Sequence, residues 1–288
     1  MKKIYYITAV FATLFLVGCG DGIDLPGVNV ETDLNKIPLP DNNVNLEQVE
    51  LKPSTEPMLH EGLHTEEDFQ RIRDKKAAGE EPWVSAYQLL VESQFSQKTA
   101  DTYPTEWIKR GISGDENYMN AARGATIVYQ QALRWKIEQD DEYAAKAVEN
   151  LNKWVQTCVG VTGNTNLSLA AGLYGYEFAI AGELLRDYGG WDRADFAAFQ
   201  NWLLKVFYPA NDDFLKRHHD TNALHYWANW CLCNIAAKMA IGIVTDRRDI
   251  YNEGIAHLQT GDTNGRLRRA IYHLSLIHIS EPTRPISI

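Results

Sequence analysis

A short run carries most of the side chains in this sequence that could do chemistry on a sugar. It extends from His218 to Trp230 and reads HHDTNALHYWANW. Imidazole, amide and phenol groups are interleaved there with indole rings. Each polar group would need a partner if the run were buried in a core helix. The composition therefore predicts a solvated groove that stacks on sugar rings and transfers protons.

Helices are the elements expected to position this run. After Pro57 apolar residues recur at helical spacing, and no run of alternating β-branched residues competes with that pattern. Short polar turns such as Gln139-Asp140 predict that successive helices are antiparallel neighbours. Repeated helical hairpins form a solenoid or a closed toroid. The predicted helices are one capped by Thr65 and closed by Gly79, one beginning at Pro82, and those over about 116–138, 140–158, 167–188, 192–207, 220–243 and 249–258.

The N-terminal region predicts export and a lipid anchor. Lys2 and Lys3 precede an apolar run, and Leu16-Val17-Gly18-Cys19 then resembles the end of a bacterial lipoprotein signal. We therefore expect a signal peptide over 1–18, lipidation of Cys19 and a location in the cell envelope, at the outer membrane. Residues 19–57 are rich in Gly, Pro, Asn and Asp and predict a flexible tether.

The C-terminal region looks foreign to the rest of the chain. Residues 274–284, LSLIHISEPTR, resemble a translated sequencing adapter, and helical periodicity stops where they begin. We expect residues 274–288 to be a non-native tail. Residues 58–273 are then expected to form the N-terminal part of one longer domain.

Composition limits the partners. The net charge of −10 argues against nucleic acid. The same charge opposes a polyanionic substrate unless basic side chains gather in the groove. Cys231 and Cys233 lie two apart on a predicted helix and so point in different directions. They predict buried thiols rather than a zinc pair or a disulfide.

Two regions together resemble a known family. One is the pair of helices from Tyr118 through Trp135 and from Asp141 through Trp154, and the other is the stretch from Asn222 to Asn234 that contains His225-Tyr226-Trp227. Both resemble the alginate lyase-like superfamily. The resemblance implies an all-α fold, an incomplete (α/α) toroid of antiparallel helical hairpins in this chain. It also implies cleavage of an anionic, uronic-acid polysaccharide by β-elimination, with no cofactor and no metal.

The resemblance also implies roles for particular residues. His225 is the first choice for base or carboxylate neutraliser, and Asn222 is the amide that offsets the carboxylate charge. Tyr226 joins them in the catalytic group and is also a groove wall. The substrate-binding candidates are Trp227, Trp230, Asn229 and Asn166, of which Asn166 has helix capping as its alternative role.

This sequence departs from the family pattern in two ways. Relatives supply an arginine and a tyrosine from a Gly-Arg-Asp context beyond the histidine, and no such motif occurs before His273. Arg266, Arg268 and Arg269 do not match it. Relatives also favour an aspartate where Cys231 stands. The resemblance therefore leaves the arginine and tyrosine partners of His225 unassigned.

Three alternatives remain open from the sequence. His218 and His219 are expected at the rim of the groove, but with Asp220 and His225 they could also form a metal cluster. An (α/α) toroid glycoside hydrolase would need opposed carboxylates, for which Glu177, Glu183 or Asp220 are available. A surface glycan-binding lipoprotein of a polysaccharide-uptake system would share the lipid anchor and the tryptophans without needing His225.

Overall fold

Helices dominate the protein. The computed structural model describes residues 51–60 and 62–271. The predicted signal peptide, the lipidation of Cys19 and the predicted tail over 274–288 lie outside the described residues. The described helices are α1 (Glu66–Ala77), α2 (Trp83–Glu92), α3 (Tyr118–Glu138), α4 (Asp141–Thr157), α5 (Leu167–Leu185), α6 (Arg193–Val206), α7 (Tyr208–Arg217), α8 (Ala228–Val244) and α9 (Arg248–Thr260).

The all-α prediction is confirmed, and most helix bounds agree with the sequence. Thr65 caps α1 in a reciprocal capping box with Asp68, as the hydroxyl followed by acidic residues predicted. Asp140 and Asp192 cap α4 and α6 through their side chains. Helix α7 was not predicted. Closure of the helical pairs into a toroid stays a prediction.

Two short strands were also not predicted. Strand β1 (Trp107–Arg110) pairs in parallel with β2 (Gly160–Gly163), with Trp107 opposite Gly160. Asn117, the residue before α3, accepts a hydrogen bond from the Lys109 amide at 2.8 Å and donates one to the Trp107 carbonyl at 3.0 Å. The strand pair therefore holds the start of α3 beside the segment that leads into α5.

Helices α3, α5 and α8 run parallel to one another. In their second turns, α5 and α8 approach so closely that a Cβ on Gly172 would lie 2.6 Å from the Cys233 sulfur. At their ends, Arg186 donates to the Val244 carbonyl at 2.9 Å. The parallel strands β1 and β2 lead into α3 and α5 and so place the starts of these helices side by side. Thr126 of α3 donates to Glu177 of α5 at 3.2 Å, about midway along both. All three N-termini therefore lie at one end of the fold.

The remaining elements cover these helices. Helix α4 packs against α3, α7 against α5 and α8, and α9 against α8. The core between them is aromatic: Phe178 lies 5.4 Å from Trp154 and 5.2 Å from Trp202, ring centre to ring centre. Burying each such ring stabilises the fold by roughly 2–3 kcal/mol. Within the described ranges, no helix combines the length and the apolar character that crossing a bilayer requires.

Candidate functional site

The chemically rich run forms a loop and not the predicted helix. We expected a helix over 220–243, but α8 begins only at Ala228. His218, His219 and Asp220 have φ values of 47°, 52° and 60°. A left-handed backbone is costly for residues other than glycine and cannot continue into a right-handed helix. The prediction for residues 220–227 was therefore wrong, and Asn222 and His225 do not lie on helix faces.

A tight turn and a buried amide shape this loop instead. The His225 amide donates to the Asn222 carbonyl at 3.1 Å, and the Leu224 amide donates to the Asn222 side-chain oxygen at 2.9 Å. Asn264 then donates to the carbonyls of Leu224 at 2.9 Å and Tyr226 at 2.8 Å. These carbonyls are no longer available to a helix. Asn264 is 3% exposed, and the sequence analysis did not single it out.

Removing this anchor is expected to loosen the loop. Asn264→Ala leaves the carbonyls of Leu224 and Tyr226 without their buried donor, which costs about 1–3 kcal/mol. We expect faster amide hydrogen exchange over residues 221–227 and a matching loss in the free energy of unfolding. Asn252→Ala is the control, since Asn252 makes an exposed bond to the Lys52 carbonyl. Equal exchange of the loop in both variants would contradict the anchoring role.

Four of the seven predicted site residues lie exposed on or beside this loop. His225, Asn222 and Asn229 are exposed, and Trp227 is 45% exposed at the start of α8. The oxygen of the Asn222 side chain is bound by the backbone. Its N–H donors have no partner among the residues that the structure describes, so they remain available to a ligand oxygen.

Tyr226 on the loop and Trp230 in the first turn of α8 belong to an aromatic cluster beneath the exposed residues. The Tyr226 ring lies 4.7 Å from Trp230 and 5.3 Å from Phe214, and Phe214 also packs against His218 and His219. Tyr226 and Trp230 are half-buried. The cluster therefore supports the exposed residues, and parts of both rings remain accessible from solvent.

His218 and His219 were expected at the rim of the groove, but they hold the loop against the rest of the fold. His218 is 3% exposed and lies 3.5 Å from the Cys231 sulfur, and burial lowers the pKa of its imidazole to about 4. His219 lies 2.7 Å from the Ser168 hydroxyl in the first turn of α5. Burial also lowers the pKa of His219, with the Thr165 carbonyl acting in the opposite direction. Both are therefore neutral at physiological pH, and they join the loop to α5.

Asn166 is placed at the same end of the fold but does not cap its helix. It occupies the N-cap position of α5, and no side-chain hydrogen bond forms there. Its amide instead donates to the Asn164 side-chain oxygen at 3.0 Å. The capping alternative for the Asn166 side chain is therefore wrong. Asn166 precedes α5, whereas His225 lies on the loop before α8.

The helix ends favour a negatively charged ligand. None of α3, α5 and α8 has a side-chain cap at its N-terminus. Each N-terminus carries the equivalent of about half a positive charge, which attracts anions at close range. Their common location offsets part of the repulsion expected from a net charge of −10. The site can therefore receive a carboxylate beside an imidazole and an amide.

Comparison with known proteins identifies the family of the chain. A family model described as alginate lyase matches residues 72–270, which is more than half of the chain. The chain belongs to the alginate lyase family. A search of curated proteins and a search of solved structures found no match. The protein is thus a polysaccharide lyase by ancestry, and its family implies a polysaccharide substrate.

Glu177 lies between α3 and α5 and is a candidate general acid if the protein were a glycoside hydrolase instead of a lyase. Burial raises the pKa of Glu177 to about 7, against a weaker opposing effect of the Thr126 hydroxyl. A general acid needs such a pKa. Glu183, the proposed second carboxylate, is instead bonded to His60 at 3.1 Å and Arg186 at 2.9 Å. Its charge is therefore used to join three segments of the fold.

The raised pKa of Glu177 predicts how stability depends on pH. The folded-state pKa lies above the ordinary value of 4.5, so the folded chain holds this proton more tightly than the unfolded chain. The penalty is absent below about pH 4.5 and grows as pH rises through about 7. Above about pH 7 we expect the free energy of unfolding of Glu177→Gln to exceed that of the parent by about 2–3 kcal/mol. Below about pH 4.5 the two proteins should be equally stable. Urea unfolding at several pH values measures this, and a constant difference would contradict it.

The sequence also led to predictions about the cysteines and about a metal site. Cys231 and Cys233 are buried free thiols, as predicted, and Cys158 is buried and free as well. Within the part of the chain that the structure describes, no three His, Cys, Asp or Glu side chains are grouped to hold a metal ion. The imidazoles of His218 and His219 instead contact the Cys231 sulfur and the Ser168 hydroxyl, respectively.

Proposed function

We propose that the protein cleaves a uronic-acid-containing, alginate-like polysaccharide by β-elimination at the loop before α8. One observation supports this most strongly. The exposed imidazole of His225 and the N–H donors of Asn222 belong to one tight turn, next to the N-terminus of α8. A base and a carboxylate-binding amide are the two groups that elimination next to a uronate requires.

The proposed reaction removes a weakly acidic proton and expels a glycosidic oxygen. The Asn222 amide and the helix N-termini stabilise the charge that builds on the uronate carboxylate as the C–H bond breaks. His225 accepts that proton. The electron pair of the C–H bond forms a carbon–carbon double bond, and the glycosidic C–O bond breaks. Tyr226 is proposed to protonate the leaving oxygen, which completes the proton balance.

The neighbouring residues are proposed to hold the polymer. Trp227 presents an exposed indole on which a sugar ring can stack, and Trp230, whose ring lies 4.7 Å from that of Tyr226, is proposed to extend the aromatic surface. Asn229 and Asn166 are proposed to hydrogen-bond sugar hydroxyl groups. The substrate is therefore an anionic polysaccharide or oligosaccharide.

The direct test is to search for the elimination product. We would incubate alginate, glucuronan and an uncharged glucan with this chain and with the product of the full genomic reading frame. Ultraviolet absorbance would follow the new double bond. A rise with a uronan and none with the glucan is expected for at least one protein form. Cleavage without that absorbance would favour the hydrolase alternative, with Glu177 as its acid.

The binding-protein alternative predicts a different mutational pattern. A surface glycan-binding protein would lose affinity on Trp227→Ala and would be unaffected by His225→Ala. An enzyme retains polymer binding on His225→Ala and loses product formation. Measuring affinity and product formation for both variants separates the two functions.

A further inference from the structure

A second polar cleft lies on the other side of α3 from α5. It has a volume of about 300 Å³ and opens between the first turns of α3 and the 94–103 segment. Its lining includes Gln94, Phe95, Thr99, Tyr103, Asn120 and Arg123. Two helix spacings of about 8–10 Å each separate it from the loop before α8. The cleft is therefore distinct from the proposed site of elimination.

Arg123 gives this cleft an uncompensated positive charge. The residue is exposed, and its guanidinium has no hydrogen bond or ion pair with any residue that the structure describes. Asp101, the carboxylate in the same lining, is already bonded to Lys146 at 2.6 Å and Lys153 at 3.0 Å. These lysines lower the pKa of Asp101 and neutralise its charge. Arg123 is thus available to an outside anion, and its planar fork matches a carboxylate.

An aromatic ring and two amides surround this arginine. Tyr103 is 73% exposed, which is unusual for a large ring and suits stacking on a sugar face. Gln94 and Asn120 supply side-chain amides beside it. Carbohydrate-binding clefts combine these three groups because a sugar presents apolar faces, hydroxyl groups and, in uronates, a carboxylate.

The cleft is held in shape by close packing beneath it. A Cβ on Gly124 would lie 2.5 Å from the Trp154 indole nitrogen and 2.7 Å from the Thr102 hydroxyl. The Thr102 amide donates to the side-chain oxygen of buried Asn150 at 3.2 Å. Tyr103 therefore follows a residue that is fixed on α3 and α4. A preformed cleft loses little entropy when a ligand binds.

We propose that this cleft binds one uronate unit of a long polysaccharide whose reacting unit lies at the loop before α8. Arg123 binds the carboxylate, and Tyr103 stacks on the ring. The identity of this ligand rests on the proposed function. A polymer long enough to span α3 and α5 contacts both places, whereas a short oligosaccharide contacts only one.

The test compares two arginines that differ in position and not in charge. Arg123→Gln is expected to weaken binding of alginate or glucuronan about tenfold or more, since it removes a charge-assisted hydrogen bond. The matched control is Arg193→Gln, because Arg193 is also exposed and lacks a described partner. That control should keep the parent affinity, and Arg123→Lys should recover part of it. Tyr103→Ala should weaken binding, and Tyr103→Phe should not.

Each outcome separates this proposal from the proposed function. Affinity is measured by calorimetry in the parent and in a His225→Ala background, where the polymer stays intact. Equal affinities for Arg123→Gln and Arg193→Gln would overturn the second site and leave the elimination site standing. Absence of uronan binding by both the parent chain and the product of the full reading frame would overturn both.

Discussion

Replacing His225 with alanine is expected to lower kcat/KM for uronan cleavage by about a hundredfold to ten-thousandfold. The exposed imidazole is the only proposed proton acceptor on the turn that it shares with Asn222, and alanine cannot take its place. Polymer affinity should change far less, because the aromatic residues and the Asn222 amide remain. Initial rates of product absorbance and calorimetric affinities, measured in whichever protein form cleaves, provide this comparison.

Another histidine variant controls for the loss of an imidazole. His60 bonds Glu183 at 3.1 Å and Asp246 at 3.0 Å, away from the loop before α8. His60→Ala should therefore keep the parent rate to within a few-fold. Parent-like cleavage by His225→Ala would remove His225 from the chemistry. A rate loss of equal size in both variants would point to a structural cause.

Replacing Lys238 with methionine is expected to lower the free energy of unfolding by about 3 kcal/mol. Lys238 is fully buried on α8 and joins Asp212 at 2.8 Å to Glu253 at 2.5 Å. Methionine fills a similar volume but leaves both carboxylates without their common cation. The effect lies at the lower end for a broken buried pair because Glu253 keeps access to water.

A neighbouring lysine makes the control for this prediction. Lys216 bonds the same Asp212 at 2.8 Å, but its side chain is 58% exposed. Lys216→Met should therefore change stability by less than about 0.5 kcal/mol. Urea unfolding of both variants gives the two values. Similar small changes would show that the buried cation adds nothing to the packing of α7, α8 and α9.

Local sequence signals were sufficient for most helices. Thr65, Asp140 and Asp192 supply caps at the expected positions, and apolar residues at helical spacing define the buried sides of α3 and α4. These signals act over three or four residues, so they are visible without any tertiary structure. Their agreement explains why the all-α fold was predictable.

The missed elements depend on contacts between distant residues. The strands have only four residues each and exist because β1 pairs with a segment some fifty residues later in the chain. Helix α7 follows α6 directly and has Pro209 in its first turn, and a proline at this place is compatible with the start of a helix as well as with the end of the one before it. Neither feature has a sufficient local signal.

The geometry of the candidate site also depends on contacts between residues that are distant in sequence. Its residue types were visible in the sequence, but their geometry was not. Asn264 donates hydrogen bonds to two carbonyls of the loop from a position about forty residues later in the chain. His218 to Asp220 adopt left-handed conformations although none of them is glycine, so the sequence gives no sign of this turn. The contact between His219 and Ser168 likewise required the packing of the loop on α5.

The source of the oxygen in the cleavage products tests elimination most directly. A uronan is cleaved in heavy-oxygen water, and the products are analysed by mass spectrometry. Elimination breaks the glycosidic bond without adding water, so the products should carry a double bond and no heavy oxygen at the new ends. Hydrolysis adds one water for each bond broken, so one heavy oxygen at each new reducing end and no double bond at the opposite end would contradict the proposed role of the His225–Asn222 turn.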